Sequence, residues 1–330
     1  MRATIGSLRD LMGDACQAAS VPKDKAAFVV EHYLAGELRG RTSHGIAKFC
    51  FESRFFPQRE GSPQIVRDQG ALAVIDARRE IGPISAAYAV DVAVGKAADL
   101  GAGIIGMINT QRYGILAQWS ERIAEHGYLG IVMNTSRAEA TVHRGRTPVL
   151  GVNPLSFAIP TLDEPIVADM STTLAPMGVL WEARRTGGPL PPGCFVDEHG
   201  NPTDDPHAAT SAVVFGEHRG LALSLLLQIL TGSLFAFPMG AAVKSTWSTG
   251  YTFLALDPSF GGQVTGFPEH NTQFADAIRS AVTRDGAPMR LPGQASKERA
   301  DHALATGTVE LDDAVFRRLQ ARAAGDFASD

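Results

Sequence analysis

Twice between residues 82 and 135 a helical stretch gives way to a short, unbroken apolar run. "PISAAYAVDVAVGKAADLG" is alanine-rich and stops at Gly101, and "AGIIGMIN" follows it. A second helix, from about Ile115 to His126, leads into "LGIVMNT". Glycine just past a helical pattern is a stop signal. An apolar run too short for a buried helix reads as a strand covered on both faces. Just upstream, "PQIVRDQGALAVIDA" reads as two short strands around a Gln-Gly turn. The chain from 60 to 135 is therefore α/β in texture, with helices packed on a sheet.

The flanks differ. The first sixty residues predict helices over 3–19 and 22–38, with Pro22 at a first turn, and over Ile46 to Phe56. Beyond 135, glycine and proline punctuate the chain. A strand "PIVADM" is expected, then a helix starting near Ser171. "RRTGGPLPPGCFVDEHGNPTDDPHAAT" reads as loop, and a loop of that length is usually functional or an arm that contacts a partner. A helix over 219–233, a strand "GYTFLALD", a helix from Asn271 to Arg284 and a terminal helix from Leu311 complete the reading. The longest apolar run, "LALSLLLQILTGSLFAF", is broken by Gln228 and a Thr-Gly pair. It reads as a buried helix rather than a membrane span.

Composition then excludes whole classes. A net charge of −5 over 330 residues argues against nucleic-acid binding, which needs a basic surface. Cys16, Cys50 and Cys194 are too scattered for a disulfide framework or a metal cluster, which suits a reducing cytoplasm. The N-terminus lacks the apolar core of a signal peptide. No G-x-G-x-x-G, P-loop, H-E-x-x-H, C-x-x-C or G-x-S-x-G occurs. A standard dinucleotide fingerprint is absent, and no metal is expected.

"LRGRTSHGIAKF" holds the first chemical candidate. His44 is followed by Gly45, which would allow close approach to the imidazole, and Arg39, Arg41 and Lys48 would attract an anion. Two readings stay open from these residues: a proton-transfer site for an anionic substrate, or a helix-to-helix turn with Ser43 capping the next helix.

Five stretches in order are more telling: "LRGRTSHGIAKF", "INTQRYG", "VLGVNPLSFAIPT", "PIVADMSTT" and "GEHRGLALSLLLQIL". From about residue 20 to 320 this series resembles the malate/L-lactate dehydrogenase family of non-Rossmann oxidoreductases. Its members include ureidoglycolate, sulfolactate and 2,3-diketogulonate oxidoreductases and a reductase of cyclic imine carboxylates. The resemblance implies an α/β fold that binds NADH or NADPH without a Rossmann unit, in an interlocked homodimer. It divides the chain into a helical region 1–60 joined by a C-terminal helix from 290–330, a substrate-side lobe 61–122, and a cofactor and dimerisation lobe 123–289. It assigns Ser43 and His44 to catalysis, and this chain's own residues around them, Lys48, Arg112, Tyr113 and Arg146, are the candidates for the substrate anion. Asp169, Met170, Ser171, Thr172, Thr173, His218, Arg219, Gly220 and Gly293 are assigned to the cofactor.

The chemistry agrees. Hydride delivery to a 2-oxo acid leaves an alkoxide that needs a proton, and imidazole is the side chain best matched to that task. Lys48, one helical turn after His44, would face the substrate carboxylate. Helix starts after "ADMST" and "EHRG" would offer backbone N–H groups to a pyrophosphate. Two departures fall at the site. Lys48 replaces a usual arginine, and Arg112 replaces a histidine that serves some members as acid/base. Arginine cannot shuttle a proton but can clamp an anion. The expectation is a pocket altered for a different or more anionic substrate, with His44 the sole proton-transfer group. Alternatives are reduction of a cyclic imine carboxylate, or a binding or assembly subunit without redox activity.

Overall fold

The computed structural model describes residues 1–261 and 266–328. Positions 262–265 of the expected 123–289 lobe, and 329–330 of the expected C-terminal segment, lie outside the described residues. Strand β1 (Arg2–Thr4) leads into α1 (Ile5–Ala18), whose first turn is capped by the Thr4 hydroxyl accepting from the Ser7 N–H. Pro22 precedes α2 (Lys23–Leu38). A single 3-10 turn, Thr42–His44, separates it from α3 (Ile46–Glu52), which tightens into a 3-10 segment through Gln58. Helix α1 buries Ile5, Leu8, Met12, Ala15 and Cys16, a stripe at helical spacing.

The expected hairpin follows as β2 (Gln64–Gln69) and β3 (Leu72–Asp76), turning at Gly70. Helix α4 (Gly82–Leu100) stops at Gly101, which is left-handed with φ +80° as the stop signal requires. Then come β4 (Ala102–Ile108), α5 (Ala117–Glu125) and β5 (Leu129–Asn134). Four strands lie where glycine and proline obscured the pattern or a strand was expected: β6 (Ala140–Thr141), β7 (Pro148–Leu150), β8 (Leu155–Ile159) and β9 (Ile166–Met170). The rest of the chain is α6 (Met177–Thr186), β10 (Phe195–Val196), β11 (Ser211–Val213), α7 (His218–Leu230), β12 (Tyr251–Leu256), α8 (Phe267–Arg279), α9 (Gln294–Thr306), β13 (Thr308–Glu310) and α10 (Asp313–Ala323).

Seven strands form the main sheet in the order β2-β3-β4-β12-β5-β8-β9. Only β3 and β4 run parallel; β12 enters between β4 and β5, antiparallel to both. Its residues Tyr251, Thr252, Phe253 and Ala255 are buried, which explains the near-continuous apolar reading of "YTFLAL". A smaller sheet, β10-β11-β6-β7, packs with α6 around Leu180, Phe195 and Ala212. Strands β1 and β13 pair, so both ends of the chain meet beside α1 and α10.

Three expectations need correction. No helix starts at Ser171. There the Thr172 N–H donates to Val152 O (3.0 Å) and the Leu174 N–H to Val213 O (2.8 Å), so the backbone is spent on neighbouring strands until Pro176 releases it into α6. The helix expected over Asn271–Arg284 is α8, which starts at Phe267 and ends at Arg279. Helix α7 is not a buried apolar helix. It turns Ser224 and Gln228 inward, where the Asn153 amide donates to both (2.9 and 3.0 Å), and leaves Leu225, Leu226 and Ile229 exposed. Among the described residues no helix is long and apolar enough to cross a membrane.

Candidate active site

His44 sits at the end of the Thr42–His44 turn because α2 and α3 pack closely there. A Cβ on Gly36 would lie 2.9 Å from the His44 carbonyl oxygen. One on Gly45 would collide with Glu37, whose carboxylate accepts from the Ile46 N–H at 2.9 Å. The space beside Gly45 therefore belongs to Glu37 rather than to a ligand. Ser43 does not cap α3; its hydroxyl lies 2.9 Å from His44 Nδ1. That contact fixes the ring and leaves Nε2 as the nitrogen free for a ligand. Burial, then the charges of Lys48, Arg41 and Arg112, push the His44 pKa down to about 4.

Lys48 does stand one turn on, but it is already paired. Its Nζ lies 2.9 Å from Glu52 Oε1, and both side chains are largely buried. Glu52 also accepts from the Arg112 N–H through Oε2 (3.3 Å). Burial lowers the Lys48 pKa, against the pull of Glu52. The loop carrying Arg112 is pinned from three sides. Glu52 holds its N–H, the Tyr33 hydroxyl donates to its carbonyl (3.1 Å), and Gly82 packs so closely beneath that carbonyl that a Cβ there would overlap it. The half-buried guanidinium itself has no hydrogen-bond or ion-pair partner among the described residues. It is an open cation, and its charge acts on His44.

Glu52 and Glu139 were missed by sequence reasoning. The Lys48–Glu52 spacing of four on a helix was a usable signal. Glu139, a lone acid in a loop before β6, carried none. Burial raises its pKa, while Arg112, Arg137 and Lys48 pull it down, so it feels two of the cations that act on His44.

The cofactor candidates fall into one region. Thr172 and Phe215 share a hydrogen bond (Phe215 N–H to Thr172 O, 3.0 Å), and Thr173 bridges to Val214, so the 169–173 segment lies beside the start of α7. That start has no side-chain cap, and His218 and Arg219 are exposed there. Glu217, just before it, has φ +56°, a conformation that costs a non-glycine residue about 1–3 kcal/mol. Gly220 packs against the Phe215 carbonyl so tightly that a side chain would collide. Gly293 lies on β9, where a Cβ would sit 2.6 Å from Val167 O. Met170 is exposed, and Ser171 bonds to Thr173. Asp169 is on a strand rather than at a helix start. Its carboxylate accepts from the Ala117 N–H (3.2 Å) at the head of α5, and burial raises its pKa.

Two candidates stand elsewhere. Tyr113 is 2% exposed, packs at a tilt against Tyr251 (ring centroids 4.6 Å apart) and donates to Asn134, so it is a core residue beside the site rather than its wall. Arg146 is exposed and packs by Gly200; no hydrogen bond or ion pair joins it to His44, Lys48 or Arg112 among the described residues.

The chain is similar to known proteins over nearly its whole length. The malate/(S)-sulfolactate dehydrogenase of Methanothermus fervidus is 28% identical over 324 residues, covering 94% of each chain. The (2R)-3-sulfolactate dehydrogenase (NADP(+)) of Chromohalobacter salexigens is 27% identical over 326 residues, again with 94% of each covered. The crystal structure of a dehydrogenase from Sinorhizobium meliloti superposes with a TM-score of 0.91 at 28% identity over 98% of each chain. The family model for malate/L-lactate dehydrogenase matches residues 4–320. With that match laid over a helical N-terminal region and a mixed α/β fold, the chain belongs to the malate/L-lactate dehydrogenase family and is an oxidoreductase of it.

Proposed function

We propose that the protein transfers hydride between a nicotinamide cofactor, NADH or NADPH, and a small 2-oxo or 2-hydroxy carboxylate. The observation that carries this reading is the free, half-buried Arg112 guanidinium, whose charge is felt at the His44 ring. An anion clamp and a proton carrier in one space are what a hydroxy-acid substrate needs. Relatives named for malate and sulfolactate support the substrate class, and one named for NADP(+) supports the cofactor.

When bound, the nicotinamide supplies or accepts the hydride. The uncapped start of α7, with His218 and Arg219, fits a pyrophosphate, and Asp169 to Thr173 with Gly293 would line the adjoining wall. On the substrate side Arg112 holds the carboxylate. His44 Nε2 takes the hydroxyl proton in oxidation or returns it in reduction, with Ser43 holding Nδ1. Lys48, tied to Glu52, acts mainly by its charge. An arriving carboxylate offsets the cations that depress His44, so substrate binding favours the protonated imidazole that reduction requires. In this reading residues 61–122 serve the substrate and 123–289 the cofactor and a homodimer contact.

Titration with NADH and NADPH tests the proposal, following energy transfer from protein to cofactor and thermal shift together. Saturable binding of at least one is expected. No response to either at millimolar concentration would sink it.

A further inference from the structure

Helix α7 carries the uncapped start proposed for the pyrophosphate, yet hydrophobicity does not decide which of its sides faces inward. From Leu221 to Leu230 it is apolar apart from Ser224 and Gln228. Those two are turned in beside Leu227, while Ala222, Leu225, Leu226 and Ile229, a full apolar stripe at helical spacing, are exposed. Burial alone gives such a helix no preferred face, so a polar contact must choose one. Asn153 makes it. Its amide nitrogen Nδ2 donates to Ser224 Oγ (2.9 Å) and to Gln228 Oε1 (3.0 Å). Gln228 Nε2 donates in turn to Thr135 Oγ1 (2.8 Å), and the Thr135 hydroxyl donates to Asn153 Oδ1 (3.1 Å). Asn153, Gln228 and Thr135 thus close a ring in which each side chain donates once and accepts once, and all three are buried. Buried hydrogen bonds joined in this way reinforce one another and are costly to leave half made.

The same loop holds the other wall of the proposed cofactor site. Val152, the residue before Asn153, accepts from both the Thr172 N–H and the Thr172 hydroxyl at 3.0 Å. Adjacent residues therefore anchor the 169–173 segment and α7. Asn153 does so at φ +38°, in the left-handed region that asparagine tolerates better than most residues.

We infer that Asn153 is a positioning residue for the cofactor: it fixes the rotation of α7 about its axis and the spacing of that helix from the 169–173 segment. The inference rests on the oxidoreductase reading and deepens it. Turning α7 by one residue, about 100° on a radius of about 2.3 Å, would move each first-turn Cα by about 3.5 Å. That is enough to take the first N–H groups out of hydrogen-bond reach of a phosphate seated against Thr172.

Two variants test this with the preferred nicotinamide cofactor. Asn153→Ala removes the grip on α7, and Gln228→Met opens the ring at nearly constant volume while leaving Asn153 its contact with Ser224. Asn153→Ala should raise cofactor Kd about tenfold to a hundredfold, the worth of one charged hydrogen bond, with KM for the 2-oxo acid at saturating cofactor unchanged. An unchanged cofactor Kd in folded Asn153→Ala, or a loss shared equally by cofactor Kd and substrate KM, makes the ring a support of the fold alone. Either result overturns the inference and leaves the parent reading intact. If Asn153→Ala fails to fold, Gln228→Met decides by the same pair of measurements, with a rise in cofactor Kd of at least about threefold expected and an unchanged Kd overturning. If the wild type binds neither NADH nor NADPH, the parent reading falls and this one with it.

Discussion

On the proposed reading Arg112 and His44 divide the work that a pair of histidines could share, and each can be tested separately. Arg112→Ala removes a charged hydrogen bond worth about 1.5–3 kcal/mol, so KM for a 2-oxo acid should rise on the order of tenfold to a hundredfold while cofactor binding holds. Arg112→His restores a titratable ring but not the clamp. It should fail to raise turnover on the native substrate, and a rise with unchanged KM would show that the arginine is not a substrate clamp. His44→Asn should cost roughly 10²–10⁴ in turnover. Its pH behaviour has a defined sign. The folded pKa, about 4, lies below the reference value near 6.5, so the ring is neutral at pH 7. In kcat/KM, which reports the free enzyme, hydroxy-acid oxidation should hold as pH falls from 7 toward 5 and drop only as the ring protonates. The stability gained by keeping His44 neutral is full above pH 6.5 and is lost as pH falls from there through 4. Proton NMR should show His44 titrating near 4 in the free protein and moving upward with oxalate bound. A free-protein value near 6.5 would contradict the burial seen here.

At the scale of elements, the site depends on glycines that let backbones touch. Gly82, in the first turn of α4, admits the Arg112 and Gln111 carbonyls. Gly82→Ala must push the 109–114 loop aside. It should cost about 1–3 kcal/mol of stability, as overpacking does, and raise substrate KM more than cofactor Kd. Denaturant unfolding and steady-state kinetics would check both halves. The short strands explain what local reading could not reach. β6 and β10 are two residues long and β7 and β11 three, too short for a period-2 pattern to register. Ser171 misled for a related reason. A threonine- and serine-rich stretch before an apolar helix looks like a cap, but the hydrogen bonds that hold it come from Val152 and Val213, distant in sequence.

Across the whole molecule, the exposed face of α7 asks for a partner. Leu225 and Leu226 are 54% and 52% exposed and Leu234, just past the helix, is 48%, and exposed apolar side chains of this kind favour association. The aromatic residues of the 231–256 stretch pack within the chain. Tyr251 is in the core, Phe235 and Phe237 stack at 5.7 Å, and Trp247 meets Phe55 edge-on. We expect a homodimer through α7, with Leu226→Glu giving monomer mass by light scattering at micromolar concentration. A monomeric wild type would refute it.

The sequence alone determined the elements whose cause is local. Gly101 stops α4, Gly70 turns the hairpin, and the His44–Lys48 spacing puts two groups on successive turns. Its ordered motifs also pointed to the family. Tertiary structure decided what depends on partners far along the chain: β12 inserted between β4 and β5, Ser224 and Gln228 turned inward on α7 by Asn153, and the Arg112 N–H held by Glu52. The reason is physical. Periodicity and capping are properties of a few adjacent residues, whereas the neighbours of a charge are set by which backbones the fold lays side by side.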